Sequence, residues 1–102
     1  MIKRKLSLLT VVAEGLLKEQ ISDLLNEEGA SGFTITRAEG KGSRGVRAMD
    51  WEGPNQKFEA ILSDEAADRI LEVIGERYFE NYSVIAWVTS VEVLRGEKFI
   101  TD

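Results

Sequence analysis

Two segments near the ends of this chain, Lys5–Ala13 and Val84–Leu94, are rich in β-branched and aliphatic residues and are apolar toward both alternating faces. A strand with one wet face alternates apolar and polar side chains. A strand that is apolar on both faces has to be covered on both. The longest apolar runs inside these segments, Leu6–Ala13 and Val84–Val88, are far shorter than the roughly 20 residues of a membrane-spanning helix. They read as central strands, and the rest of the chain has to supply their cover.

That cover is visible in the patterning between them. Over Leu16–Glu28, residues Leu16, Leu17, Ile21, Leu24 and Leu25 fall on one helical stripe, while Lys18, Glu19, Asp23 and Glu27 fall elsewhere. Gly29 follows as a helix stop. Gly32–Arg37 alternates as a strand, with Phe33 and Ile35 opposite Thr34 and Thr36. Glu39–Asn55 holds four Gly and the chain's single Pro, a loop of about 15 residues, and a loop that long in a small domain is usually there for a function. Gln56–Leu62 resumes as a strand. Ser63 can cap a second helix, whose positive end suits Asp64 and Glu65. That helix runs to about Tyr78, with Ala67, Ile70, Leu71 and Ile74 on its buried stripe.

The order is therefore β-α-β-loop-β-α-β. It predicts an α+β, ferredoxin-like βαββαβ sandwich with both helices on one face of a four-stranded sheet. Its 102 residues fit a single domain, residues 1–102. The second sheet face has no cover within the chain, which predicts that copies of the chain cover it.

Composition narrows the chemistry. The chain has no Cys and no His. A thiolate metal site, a disulfide framework, Ser-His-Asp catalysis and a histidine metal site are excluded, and no metal ligands are assigned. The formal net charge of −5 argues against nucleic acid as a partner. The basic start, Met1–Lys5, leads into apolar residues without a small-residue cleavage pattern, so it reads as the start of a strand in a cytoplasmic protein.

Within this acidic chain, Arg37, Lys41, Arg44 and Arg47 place four cations in eleven residues. Gly40, Gly42 and Gly45 let backbone N–H groups approach an anion. Arg offers bidentate donors to phosphate, and Ser43 adds a hydroxyl. The order of a Walker A loop is absent. On spacing alone the segment is either a phosphate cradle or a solvated hairpin loop with ordinary surface charge.

Gly29-Ala30-Ser31-Gly32-Phe33-Thr34-Ile35-Thr36, followed by Gly40-Lys41-Gly42-Ser43-Arg44-Gly45-Val46-Arg47, resembles the PII-like signalling proteins. The likeness is nearest to the SbtB-type branch tied to inorganic-carbon uptake and to its carboxysome-associated relatives. Lys57-Phe58-Glu59, Tyr78-Phe79-Glu80-Asn81-Tyr82 and Val91-Glu92-Val93-Leu94-Arg95-Gly96 extend it over nearly the whole chain. The resemblance implies a homotrimer with three clefts between subunits that bind adenine nucleotides: AMP, ADP, cyclic AMP or ATP. Bicarbonate is a candidate second ligand. It also implies a T-loop, about residues 41–55, that reports the ligand to a partner such as a membrane bicarbonate transporter or a carboxysome-related protein. By position, Lys41, Ser43, Arg44 and Arg47 match the phosphate-handling loop base, Gly40 and Gly42 its backbone access, and Thr89, Ser90 and Arg95 the cleft wall. No catalytic residue is implied; the role is that of a sensor, cytoplasmic or held at the membrane through its partner.

Three departures bear on the ligand. Phe79-Glu80-Asn81-Tyr82-Ser83 stands where PII proteins usually carry Thr-Gly-x-x-Gly-Asp-Gly-Lys, which favours AMP, ADP or cyclic AMP over tight ATP binding with 2-oxoglutarate. The loop lacks the modifiable Tyr of enteric PII proteins, and the Cys pair of some SbtB-type chains is missing. Trp51, in the polar loop, either folds back on its own trimer or anchors a partner. Trp87 reads as packing, in the core or at a trimer interface. Glu92 reads as an ion pair across that interface in preference to a ribose contact. The alternatives are a slow nucleotide phosphohydrolase, whose metal would fall to Glu39, Asp50 and Glu52, and a CutA-like structural trimer without nucleotide.

Overall fold

Leu9, Val11 and Ala13 are each exposed by 1% or less, and the chain closes around them. They lie on β1 (Lys3–Ala13) of a computed structural model that describes residues 1–39 and 54–100. After β1 come α1 (Lys18–Glu27), β2 (Thr34–Ala38), β3 (Asn55–Leu62), α2 (Asp64–Tyr78) and β4 (Val84–Leu94). The strands form one sheet in the order β2-β3-β1-β4, with every neighbouring pair antiparallel. This is the ferredoxin-like βαββαβ arrangement that the patterning predicts.

The register sorts side chains onto two faces. Leu9 pairs with Ala60 and Val88, and Val11 with Phe58 and Ala86. Leu9, Val11, Phe58, Ala60 and Leu62 meet Leu17, Ile21, Leu24 and Leu25 from the first helical segment and Ala67, Ile70 and Ile74 from α2 in one core. Each large aliphatic side chain buried there contributes roughly 1.5–3 kcal/mol. The opposite face carries Leu8 and Val12 of β1, Ile61 of β3, and Ile85 and Trp87 of β4, placed together by the pairs Leu8–Ile61, Leu8–Thr89, Thr10–Trp87 and Val12–Ile85. Ile85 is 58% exposed and Trp87 43%. Trp87 is therefore no part of this chain's own core; its apolar surface faces outward.

Local chemistry fixes the helix ends. The Ser63 hydroxyl accepts the Ala66 N–H at 3.2 Å, and Asp64 and Glu65 sit in the first turn of α2. After α1, Ala30 N–H reaches the Leu25 carbonyl and Gly29 N–H that of Asn26, the paired bonds of a Schellman turn. Gly29 takes the φ of 92° that this turn needs.

Two elements differ from the sequence expectation. The first helical stretch opens as a 3-10 turn, Gly15–Leu17, closed by Leu17 N–H on the Glu14 carbonyl at 3.0 Å. That tighter winding turns Leu17 into the core and leaves Leu16 40% exposed, so Leu16 is not on the buried stripe. Leu71 packs at the margin of the core, half-buried, and not inside it. Among the described residues, no helix is long and apolar enough to cross a membrane.

Phe58 is the largest fully buried side chain and sits where β3, β1 and the helices meet. Phe58→Ala is expected to destabilise the chain by roughly 3–5 kcal/mol, read as a shift of the urea midpoint at unchanged slope.

Candidate functional site

The loop between β2 and β3 springs from one end of the sheet, where Ala38 pairs with Asn55. Its predicted phosphate-binding residues Gly40, Lys41, Gly42, Ser43, Arg44 and Arg47, and Trp51, lie outside the described residues. The α2–β4 connection is at this same end, because Ala13 pairs with both Gln56 of β3 and Val84 of β4.

Glu14 secures that end. It is only 7% exposed, and its carboxylate accepts the Ser83 backbone N–H, tying the close of β1 to the start of β4. Tyr78 and Tyr82 pack edge-to-face across the same connection, centroids 5.8 Å apart, and Tyr82 N–H donates to the Tyr78 carbonyl at 3.0 Å. The segment between α2 and β4 is thus held by an internal carboxylate and an aromatic pair.

The remaining predicted residues are elsewhere. Thr89 and Ser90 are exposed on β4, the edge strand, and being adjacent they project to opposite faces: Thr89 with Leu8 on the uncovered face, Ser90 with Ser7 on the helix side. Ser7 is itself buried, its hydroxyl donating to Asp64 Oδ1 at 2.6 Å. Arg95 follows Leu94, which pairs with Lys3 at the far end of β1. At about 3.4 Å per residue, the ten steps from Ala13 to Lys3 separate Arg95 from the loop roots by roughly 30 Å. One chain therefore carries the loop roots and Arg95 at opposite ends of its central strand, with Thr89 and Ser90 near its middle, opposite Leu8 and Ser7.

The Arg95 end has features that the sequence did not reveal. Arg95 adopts φ 58°, ψ 38°, and is the only non-glycine residue with positive φ among those described. For an L-residue this left-handed conformation costs roughly 1–2 kcal/mol. A 3-10 turn, Gly96–Phe99, follows. Gly96 is buried, and a Cβ there would lie 2.8 Å from the Cβ of Arg4. The turn packs directly on the Arg4 side chain, a contact between residues far apart in sequence that no local pattern announces. Glu92 pairs with Lys3 of its own chain at 3.8 Å, both side chains more than half exposed; such a pair is worth little.

The sequence profile of the nitrogen regulatory protein P-II family matches residues 6–98. The chain belongs to the PII family. A PII-like signalling protein of Thermus thermophilus shares 49% identity over 97% of this chain and 99% of its own, with a TM-score of 0.85. CPII of Thiomonas intermedia, a nitrogen regulatory PII-like protein solved with ADP, AMP and bicarbonate, is 30% identical over 98% of both chains, with a TM-score of 0.86. The same protein solved with ADP, AMP and acetate gives a TM-score of 0.85 at 28% identity, over 99% of this chain and 100% of its own. The loop from β2 to β3 thereby takes the family's name, the T-loop.

Arg95→Gly removes the left-handed strain and is expected to raise stability by about 1 kcal/mol, measured by thermal unfolding. A lower melting temperature would mean that Arg95 contributes more to packing than its backbone costs.

Proposed function

We propose that the chain is a PII-family sensor that binds adenine nucleotides between copies of itself in a homotrimer and reports the bound ligand through its T-loop, without catalysing a reaction. The observation that carries this reading is the likeness to CPII, solved with ADP, AMP and bicarbonate, over 98% of both chains. The separation of the loop roots from Arg95 supports it. The T-loop roots and the Glu14-anchored connection of one chain need the Thr89–Arg95 edge of a neighbour to close a cleft. The uncovered face, with Ile85 and Trp87 exposed, supplies a reason for copies to associate.

In that cleft, Gly40 and Gly42 give backbone N–H groups access to phosphate, and Lys41, Ser43, Arg44 and Arg47 supply side-chain donors. Arg95 contributes from the neighbouring subunit. The replaced glycine-rich segment favours AMP, ADP or cyclic AMP over tight ATP binding, with bicarbonate as a second ligand. A ligand shifts the T-loop only through different affinity for its arrangements, and a phosphate–arginine network that forms in one of them provides that difference. The SbtB-type resemblance points to control of bicarbonate transport or carbon metabolism, in the cytoplasm or beside a membrane transporter, with Trp51 as the partner anchor.

Calorimetric titration with AMP, ADP, ATP and cyclic AMP, each with and without bicarbonate, tests this. At least one nucleotide is expected to bind without release of phosphate. Hydrogen bonds to charged groups are worth roughly 1.5–3 kcal/mol, so Arg47→Ala should weaken ADP binding by about tenfold or more. Silence with all four nucleotides would refute the reading.

A further inference from the structure

We infer that Arg4 is a second guanidinium in the anion-binding wall formed by Arg95, and that the pair selects phosphate esters of multiple charge over singly charged ligands. The inference rests on the nucleotide-binding reading above and adds a residue and a selectivity to it. Its foundation is the close approach at Gly96. A Cβ on Gly96 would lie 2.8 Å from Cβ, 3.1 Å from Cδ and 3.3 Å from Cγ of Arg4. The backbone next to Arg95 therefore rests along the aliphatic stem of Arg4. Arg4 and Arg95 are both exposed.

Two of the neighbouring cations have contacts of their own. Lys3 pairs with Glu92 at 3.8 Å. Lys98 lies over the Phe99 ring, 5.9 Å from its centroid. Lys5 falls on the helix side, in register with Glu92. Glu97 belongs to the same turn as Gly96, and among the described residues neither Arg4 nor Arg95 forms an ion pair. Two guanidiniums that share one anion repel each other less once it lies between them, and each offers a planar fork of donors suited to phosphate oxygens. A terminal phosphate monoester carries about −1.5 to −2 charges at neutral pH, and can satisfy both. Cyclic AMP and bicarbonate carry a single negative charge, which satisfies one.

The left-handed turn at Arg95 and the missing side chain at Gly96 bring the backbone that follows Arg95 onto Arg4, a residue distant in sequence. On this view the backbone strain at Arg95 positions a binding group, as strained residues at ligand sites commonly do.

Arg4→Met keeps the stem that Gly96 packs on and removes the charge; Arg4→Lys keeps the charge and loses the fork. Calorimetry with ADP, cyclic AMP and inorganic pyrophosphate reads both variants beside the unsubstituted chain, after size exclusion confirms equal assembly. Arg4→Met is expected to weaken ADP and pyrophosphate by about tenfold and cyclic AMP by less than about threefold, with Arg4→Lys between. Equal ADP affinity in Arg4→Met and the unsubstituted chain overturns the inference and leaves the nucleotide reading standing. If the unsubstituted chain binds no ADP, the nucleotide reading falls, and pyrophosphate then decides on Arg4: Arg4-dependent binding upholds the anion wall, and its absence ends it. Gly96→Ala retains both cations but drives the turn away from Arg4, and is expected to reproduce the ADP defect.

Discussion

The pairing of β1 with β4 runs the full length of both strands, from Lys3–Leu94 to Ala13–Val84, and the rest of the chain is arranged around it. β3 accompanies β1 only from Ser7 to Ala13. Beyond Ser7 the two long strands continue as a two-stranded ribbon, a structure that is marginal without further cover. The 3-10 turn after β4 provides some of it by folding onto Arg4. The same geometry gives each chain one helix-covered face and one face on which Ile85 and Trp87 stand exposed. Apolar area of that kind, continuous with half-buried Leu8, Val12 and Ile61, favours burial against another copy.

In the proposed reading, the long central strand leaves one chain with the loop roots at one end and Arg95 at the other, so that a cleft joining them needs two copies. The T-loop roots and the connection clasped by Glu14 lie at the Ala13 end; Arg95, Gly96 and Arg4 lie at the Lys3 end. A ligand held by both groups is held between subunits, so binding and assembly become linked, since any ligand specific for the assembled state stabilises it by mass action. The rigid parts do the positioning. Glu14 is a buried carboxylate that satisfies the Ser83 N–H, and removing it would orphan that donor inside the fold.

Much of this was legible in the sequence because it depends on short-range periodicity. The two-faced apolar strands, the Ile21–Leu24–Leu25 stripe, the Ser63 cap and the Gly29 stop are all local signals, and each is where the patterning puts it. The family was legible from the Gly-Lys-Gly-Ser-Arg motif and its neighbours. What was hidden depends on contacts between distant residues or on small changes of winding. Leu16 fits the helical stripe on a wheel, yet a single 3-10 turn rotates it outward. Trp87 reads as packing in the core or at a trimer interface, and its register opposite Thr10 assigns it to the uncovered face. Arg4 reads as one of several basic residues at the start of a strand; only the approach of Gly96 marks it out. The burial of Glu14 has no sequence signature at all.

Burial of the face bearing Ile85 and Trp87 between copies of the chain is what completes the fold of each one. Light scattering coupled to size exclusion at micromolar concentration tests it most directly. A species of about three times the mass of the 102-residue chain is the expected result, whereas a monomer at that concentration would leave the second face of β1 and β4 open to water and contradict the claim.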